Sequence, residues 1–307
     1  MRESVSWSMT TDVTDQQRPT TLHKFSRRAV LAGTALAGAG LGLGLYSTEV
    51  ERHFIDLVSK TIQIPDLPGA FHGFRIAQIS DIHLEHFTED FFLRHAVAKI
   101  NALKPDLVLL TGDFISNNVS GPDDGAYRAM PHCGEILRGL ECPLRYAILG
   151  NHDVAVDAAA VTNMLTNHGV TPLVNRYVPI ERGGQHFWLA GVDDCYFGAP
   201  DLDAAIPNDH TAPVILMCHE PDFITSIVRH PKSPDIDLVL SGHSHGGQVR
   251  LPFAGALQLP PMGREYSMGY YRVANVQLYV NRGLGTVGLP IRFNCPPEIT
   301  HFTLQPA

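Results

Sequence analysis

Between residues 74 and 245 the chain alternates short apolar runs with turns that carry Asp, His or Asn. Phe74-Arg75-Ile76-Ala77-Gln78-Ile79-Ser80 reads as a strand delivering Asp81-Ile82-His83. After Pro105, Asp106-Leu107-Val108-Leu109-Leu110 reads as a buried strand that exits at Thr111-Gly112-Asp113. A strand over 144–149 runs into Gly150-Asn151-His152-Asp153, and one over 213–217 exits at Cys218-His219-Glu220-Pro221. Asp237-Leu238-Val239-Leu240 then enters Ser241-Gly242-His243-Ser244-His245-Gly246-Gly247-Gln248. Helices are expected over about 88–103 with Thr88 as N-cap, up to near Leu140, over about 157–168 and over about 222–229. Further strands are expected over 54–64, 177–180, 186–192 and 299–304, with a hairpin across 268–281.

This alternation predicts an α/β domain. In open α/β sheets, ligands bind beyond the carboxyl ends of strands, and five strand ends here carry candidate ligands. In Asp81-x-His83 and His243-x-His245 the spacing of two puts both side chains on one side of an extended segment. The collected side chains are Asp81, His83, Asp113, Asn151, His219, His243 and His245. Carboxylate, amide and imidazole donors without thiolate suit Mn, Fe or Zn. Seven ligands exceed one ion's needs and suit two divalent ions sharing a carboxylate, held ~3.5–4 Å apart as in two-metal sites.

Composition narrows the partners. With 307 residues and 44% hydrophobic content, the chain can bury a full core as one large domain. The net charge is −8, and residues 1–47 carry an excess of basic side chains, leaving the remainder near −10. Such a surface argues against a nucleic-acid groove. Cys133, Cys142, Cys195, Cys218 and Cys295 are odd in number and scattered, so no disulfide framework is implied and buried thiols are expected. Residues 1–47 read as a polar N-terminus followed by Lys24-Phe25-Ser26-Arg27-Arg28 and an uncharged run, with residues 48–307 as the domain. A basic pair before a mildly apolar stretch has the layout of a secretory signal, and paired arginines after serine look like a twin-arginine signal. The rival is a single inner-membrane anchor. Basic residues hold the start of the run inside, which favours a domain outside the inner membrane, in the periplasm or cell envelope or tethered on its outer face; a cytoplasm-facing anchor is the alternative that would suit a lipid substrate.

Asp81-x-His83, Gly112-Asp113, Gly150-Asn151-His152-Asp153, His219 and Gly242-His243-Ser244-His245 resemble, in order, the signature of calcineurin-like metallophosphoesterases. Asn281-Arg282-Gly283-Leu284-Gly285 and Pro290 to Glu298 resemble the tail of the YkuE/YaeI-type branch, whose members start with a twin-arginine or anchor segment. The resemblance implies a four-layer α/β/β/α sandwich. It implies that Asp81, His83 and His245 hold one metal, that Asn151, His219 and His243 hold the second, and that Asp113 bridges them. His152 would donate a proton to the leaving oxygen, with Asp153 either positioning its ring or capping a turn. The expected reaction is hydrolysis of a phosphoester or pyrophosphate of a small molecule or lipid by a metal-bridging hydroxide. A UDP-2,3-diacylglucosamine-type lipid pyrophosphatase and a non-catalytic metal-binding protein are the alternatives. Arg282 and Arg292 could contact substrate phosphate or brace the tail by ion pairs. His86 is expected as a solvated loop residue, while Phe87, Phe91 and Phe92 could form an apolar lip or belong to the core.

Overall fold

Residues 27–84, 88–117, 125–208 and 211–307 are described by the computed structural model. The strands are β1 (Asp56–Ile64), β2 (Arg75–Ile79), β3 (Leu107–Thr111), β4 (Arg145–Ile148), β5 (Thr171–Pro172), β6 (Arg176–Arg182) and β7 (Gln185–Gly191). They continue with β8 (Val214–Met217), β9 (Ile236–Ser241), β10 (Arg250–Leu251), β11 (Gly255–Ala256), β12 (Gly269–Val273), β13 (Val276–Val280) and β14 (Glu298–Pro306). The helices are α1 (Arg27–Leu45), α2 (Asp90–Leu103), α3 (Gly125–Leu137), α4 (Asn151–Asn167), α5 (Leu202–Ala205) and α6 (Ile224–Ile227).

Two six-stranded sheets result, ordered β1-β14-β2-β3-β4-β5 and β12-β13-β9-β8-β7-β6. Side-chain alternation explains why they stack. In β3, Leu107 and Leu109 enter the core shared with Ile215 and Met217 of β8 and Leu238 and Leu240 of β9. Val108 and Leu110 point the other way, onto Leu93, Ala96 and Ile100 of α2 and Ile136 and Leu137 of α3. On the second sheet, Val214, Leu216 and Val239 turn outward onto Ala205 of α5 and Ile224 and Ile227 of α6. The result is the expected four-layer α/β/β/α sandwich. Its second helical layer is thin, because α5 and α6 have four residues each. The helix expected over 222–229 is a 3-10 turn at Pro221–Phe223 followed by α6.

Two helix starts differ from expectation. Thr88 is buried and precedes α2, whose N-cap position is Glu89. The helix expected from residue 157 begins at Asn151 and kinks at Asp157 (φ −174°, ψ 95°), where Asp157 Oδ1 accepts Ala160 N–H at 2.9 Å. The sequence pattern thus found the second half, which restarts with its own cap.

The chain divides into a first unit over residues 1–43 and a second over 44–307. Within the second, Ser47 O accepts Arg292 N–H at 3.1 Å and Glu51 Oε1 accepts Cys295 N–H at 2.7 Å. Helix α1 exposes Leu31, Leu36 and Leu41. Among the described residues no helix is long and apolar enough to cross a membrane. Lys24-Phe25-Ser26 lies outside them.

Candidate metal centre

The parallel strands of both sheets release their ligands at their carboxyl ends. Asp81 and His83 follow β2, Asp113 follows β3, and Asn151 opens α4 just beyond β4. His219 follows β8, and His243 and His245 follow β9. Two groups form, Asp81 with His83 and His245, and Asp113 with His219 and His243, each with candidate ligand atoms within 4.8 Å of one another. Asp113 Oδ2 lies 3.4 Å from His83 Nε2 and 3.1 Å from His219 Nε2, so one carboxylate oxygen reaches both groups. Asn151 Oδ1 sits 2.9 Å from His243 Nδ1.

Convergence requires unusual backbone. Asp81 (φ 49°), His83 (47°), Asp113 (57°), His243 (68°) and His245 (51°) are all left-handed. Such conformations cost roughly 1–2 kcal/mol each for a residue with a Cβ, and they cluster where function over-determines the loop. Gly112 (φ 95°) lets the loops close, since a Cβ there would stand 2.6 Å from His219 Nδ1 and 2.7 Å from Gly150 N. A Cβ on Gly242 would run into Ser80 and the Asp81 carboxylate.

Backbone carbonyls set the ring orientations. His219 Nδ1 donates to Thr111 O at 2.6 Å, which aims its buried Nε2 at Asp113 Oδ2, 3.1 Å away. His243 Nε2 donates to Pro261 O at 2.7 Å, which turns the Nδ1 lone pair onto Asn151 Oδ1. His83 Nε2 and His245 Nε2 lie 3.0 Å apart with their rings stacked, and His245 Nδ1 is buried without a partner. Burial pushes His83 down to about 3 and His243 down to about 4, and holds His245 well below the usual range. These three rings therefore offer lone pairs at neutral pH. Burial would lower His219 too, but the Asp113 charge outweighs it and holds the ring well above. Burial pushes Asp81 up to about 7; for Asp113 burial acts upward but His219 and His152 outweigh it and hold it well below. Lone pairs aimed at one another around two buried carboxylates are the donor set of a cation site, and the residues fit two divalent ions.

His152 is half-buried on a cleft of about 430 Å³ that also exposes Asp113, Asn151, His243 and His245. Its backbone N–H donates to Asp113 Oδ1 at 2.9 Å, and its Nδ1 accepts Asn117 N–H at 2.9 Å. The remaining ring hydrogen is therefore on Nε2. Asp153 does not hold that ring. Its fully buried carboxylate accepts backbone N–H from Asp113 (2.8 Å), Phe114 (2.9 Å), Ile115 (3.4 Å) and Gly150 (3.0 Å). The turn-and-cap reading is the one its contacts fit, and Asn117 takes the ring-positioning place. Asn117, Thr111 O and Pro261 O had no sequence signal, since each acts through its backbone. Replacing Asp153 by alanine is expected to lower unfolding stability by about 2–4 kcal/mol by orphaning these amides, with asparagine losing less, as read from denaturant midpoints.

The arginines face inward. Arg282 pairs with Glu298 Oε2 at 2.5 Å and Asp56 Oδ2 at 2.8 Å. Arg292 is fully buried and donates to the carbonyls of Gly285 (2.6 Å), Arg282 (2.9 Å), Cys295 (3.0 Å) and Gly283 (3.2 Å). A guanidinium enclosed by carbonyls braces the tail; the substrate-contact expectation for both arginines gives way to that role. Phe92 is core and Phe91 is exposed against His53, while His86 and Phe87 lie outside the described residues.

The model of the calcineurin-like phosphoesterase family matches residues 74–247, the span that carries all seven candidate ligands. The chain is 38% identical over 299 residues to "Uncharacterized metallophosphoesterase YkuE" of Bacillus subtilis, covering 92% of this chain and 99% of that one. It is 30% identical over 235 residues to "Phosphodiesterase YaeI" of Escherichia coli (75% and 82% covered). It is 28% identical over 331 residues to "UDP-2,3-diacylglucosamine pyrophosphatase LpxG" of Chlamydia trachomatis (87% and 94%). With those five strand-end motifs gathered at one buried centre, the chain belongs to the calcineurin-like phosphoesterase family.

Proposed function

We propose that the protein hydrolyses a phosphoester or pyrophosphate bond at a dinuclear centre. Asp81, His83 and His245 would hold one cation and Asn151, His219 and His243 the other. The observation that carries this reading is the single Asp113 oxygen within 3.4 Å of His83 Nε2 and 3.1 Å of His219 Nε2. Two divalent cations there, Mn, Fe or Zn, would polarise phosphoryl oxygens and acidify a water for attack. Asp113 also holds His152 through its backbone N–H. His152 presents Nε2–H to the cleft and would hydrogen-bond the leaving oxygen; to transfer that proton the ring would first take a second proton from solvent on Nδ1, the atom that Asn117 N–H faces. The ligand set is complete, which supports turnover over the non-catalytic metal-binding alternative.

Assay of an aryl phosphodiester with Mn²⁺ added and then chelated tests the reaction: activity should appear and disappear with the metal, and activity indifferent to chelation rejects it. His152→Ala is expected to lower kcat about 10²–10⁴-fold with metal content retained. The loss should be smaller for nitrophenyl than for alkyl leaving groups, since only the latter need the proton. An equal loss on both removes the acid role.

One wall of the cleft favours an amphiphilic substrate. Val249, Leu257, Pro260, Val287, Leu289 and Ile291 line it beside His245, with Leu257 and Leu289 exposed. LpxG, named as a UDP-2,3-diacylglucosamine pyrophosphatase, is among the relatives. This supports a phosphorylated lipid as substrate; screening lipid pyrophosphates against cyclic nucleotides and phosphomonoesters separates the classes. For location we propose export by the twin-arginine route or retention as an anchor, on the strength of Arg27-Arg28 at the start of α1. Changing both arginines to lysine should strand the folded protein in the cytoplasm; unchanged export of that variant overturns the route.

A further inference from the structure

Behind His219 lies a second group of potential ligands that the phosphoesterase reading does not use. Cys195 follows β7 and Cys218 follows β8, two adjacent parallel strands. Their Sγ atoms are 3.8 Å apart, and with a Glu220 oxygen they form a set whose ligand atoms lie within 4.8 Å of one another. Cys218, Glu220 and Asp194 are buried, and Cys195 is half-buried. Cys218 Sγ lies 3.4 Å from Glu220 O, and Cys195 Sγ 3.6 Å from Asp193 O.

The carboxylates are only half satisfied. Glu220 Oε2 accepts Cys195 N–H at 3.0 Å, and Asp194 Oδ2 accepts Phe197 N–H at 2.6 Å and Gly198 N–H at 3.1 Å. Glu220 Oε1 and Asp194 Oδ1 are buried with no donor. A Cys195–Cys218 disulfide would join the sulfurs but supply nothing to these oxygens. A cation serves both sulfurs and the Glu220 carboxylate at once.

We propose that Cys195, Cys218 and Glu220 bind one thiophilic divalent cation of the Zn²⁺ class, separate from the dinuclear centre. Two sulfurs with carboxylate oxygens suit a borderline-soft, four-coordinate ion. Binding displaces the two thiol protons to solvent. The ion ties the exit of β7 to that of β8, and Cys218 and Glu220 flank His219, so it also fixes the loop that presents this ring.

Cadmium titration of the metal-stripped full chain, followed in the ultraviolet, reads the site directly, because none of the dinuclear ligands is a thiol. The expected result is a thiolate-to-cadmium charge-transfer band saturating at one equivalent. It should persist in Asp113→Asn and vanish in Cys195→Ser and Cys218→Ser. Glu220→Gln should keep the band and weaken affinity about 10–100-fold. Cys195 is half-buried, so its serine variant is the one expected to fold normally. Absence of the band in wild type, or its persistence in Cys195→Ser, overturns the proposal. Recovery of the two cysteines as a disulfide in denatured, unreduced protein does so as well.

Discussion

Asp113→Ala should bind its metals weakly and lose roughly three orders of magnitude in kcat/KM. The Asp113 carboxylate is the group within reach of both ligand sets, and it holds the His152 backbone as well. Lewis-acid assistance in two-metal sites is worth several kcal/mol, and about 4 kcal/mol corresponds to about 10³ in rate. Asp113→Asn keeps an oxygen for His152 N–H while removing the charge, so it should fold like wild type and share the kinetic defect. Elemental analysis and kcat/KM measured together check this. Retained metal content and rate in both variants would refute the role of Asp113.

Arg292→Met should destabilise the fold rather than weaken substrate binding. The guanidinium donates to four carbonyls from a fully buried position, and the same segment's backbone ties to Ser47. Methionine fills the volume but leaves those carbonyls unpaired, which costs about 3–5 kcal/mol by analogy with breaking buried charge pairs. For a domain of this size the melting temperature should fall by about 6–15 °C, with KM unchanged in the fraction that remains folded. A raised KM at normal melting temperature would instead return Arg292 to the substrate.

The candidate ligands were legible in the sequence because each follows an apolar run at a strand's carboxyl end, where glycine and a chemically active residue together are informative. Asp81-x-His83 and His243-x-His245 were read as extended pairs, and the structure puts Asp81, His83 and His245 in one group and His243 in the other. Four of those residues are left-handed rather than extended, and the backbone strain follows from tertiary closure that no local pattern encodes. The buried runs of β2, β3, β8 and β9 made the α/β class legible, while the four layers were implied by the family resemblance. The thin helical cover on the second sheet was not, since Pro221 and the residues after it read as one helix and form a 3-10 turn with a single α-turn. Asp153 and Arg292 show the limit most clearly. A carboxylate beside a histidine, and an arginine near a phosphate-binding motif, suggest catalysis or binding from sequence alone. Burial decides otherwise, because one serves four amides and the other four carbonyls. Cys195 and Cys218 are far apart in the chain, and only the pairing of β7 with β8 brings their sulfurs together.

Electron paramagnetic resonance of the Mn²⁺-loaded enzyme tests the central claim most directly. A shared Asp113 predicts an exchange-coupled pair in wild type, appearing in step with activity as metal is added, and only isolated Mn²⁺ signals in Asp113→Asn. Full activity with an uncoupled, mononuclear spectrum at saturating metal would contradict it.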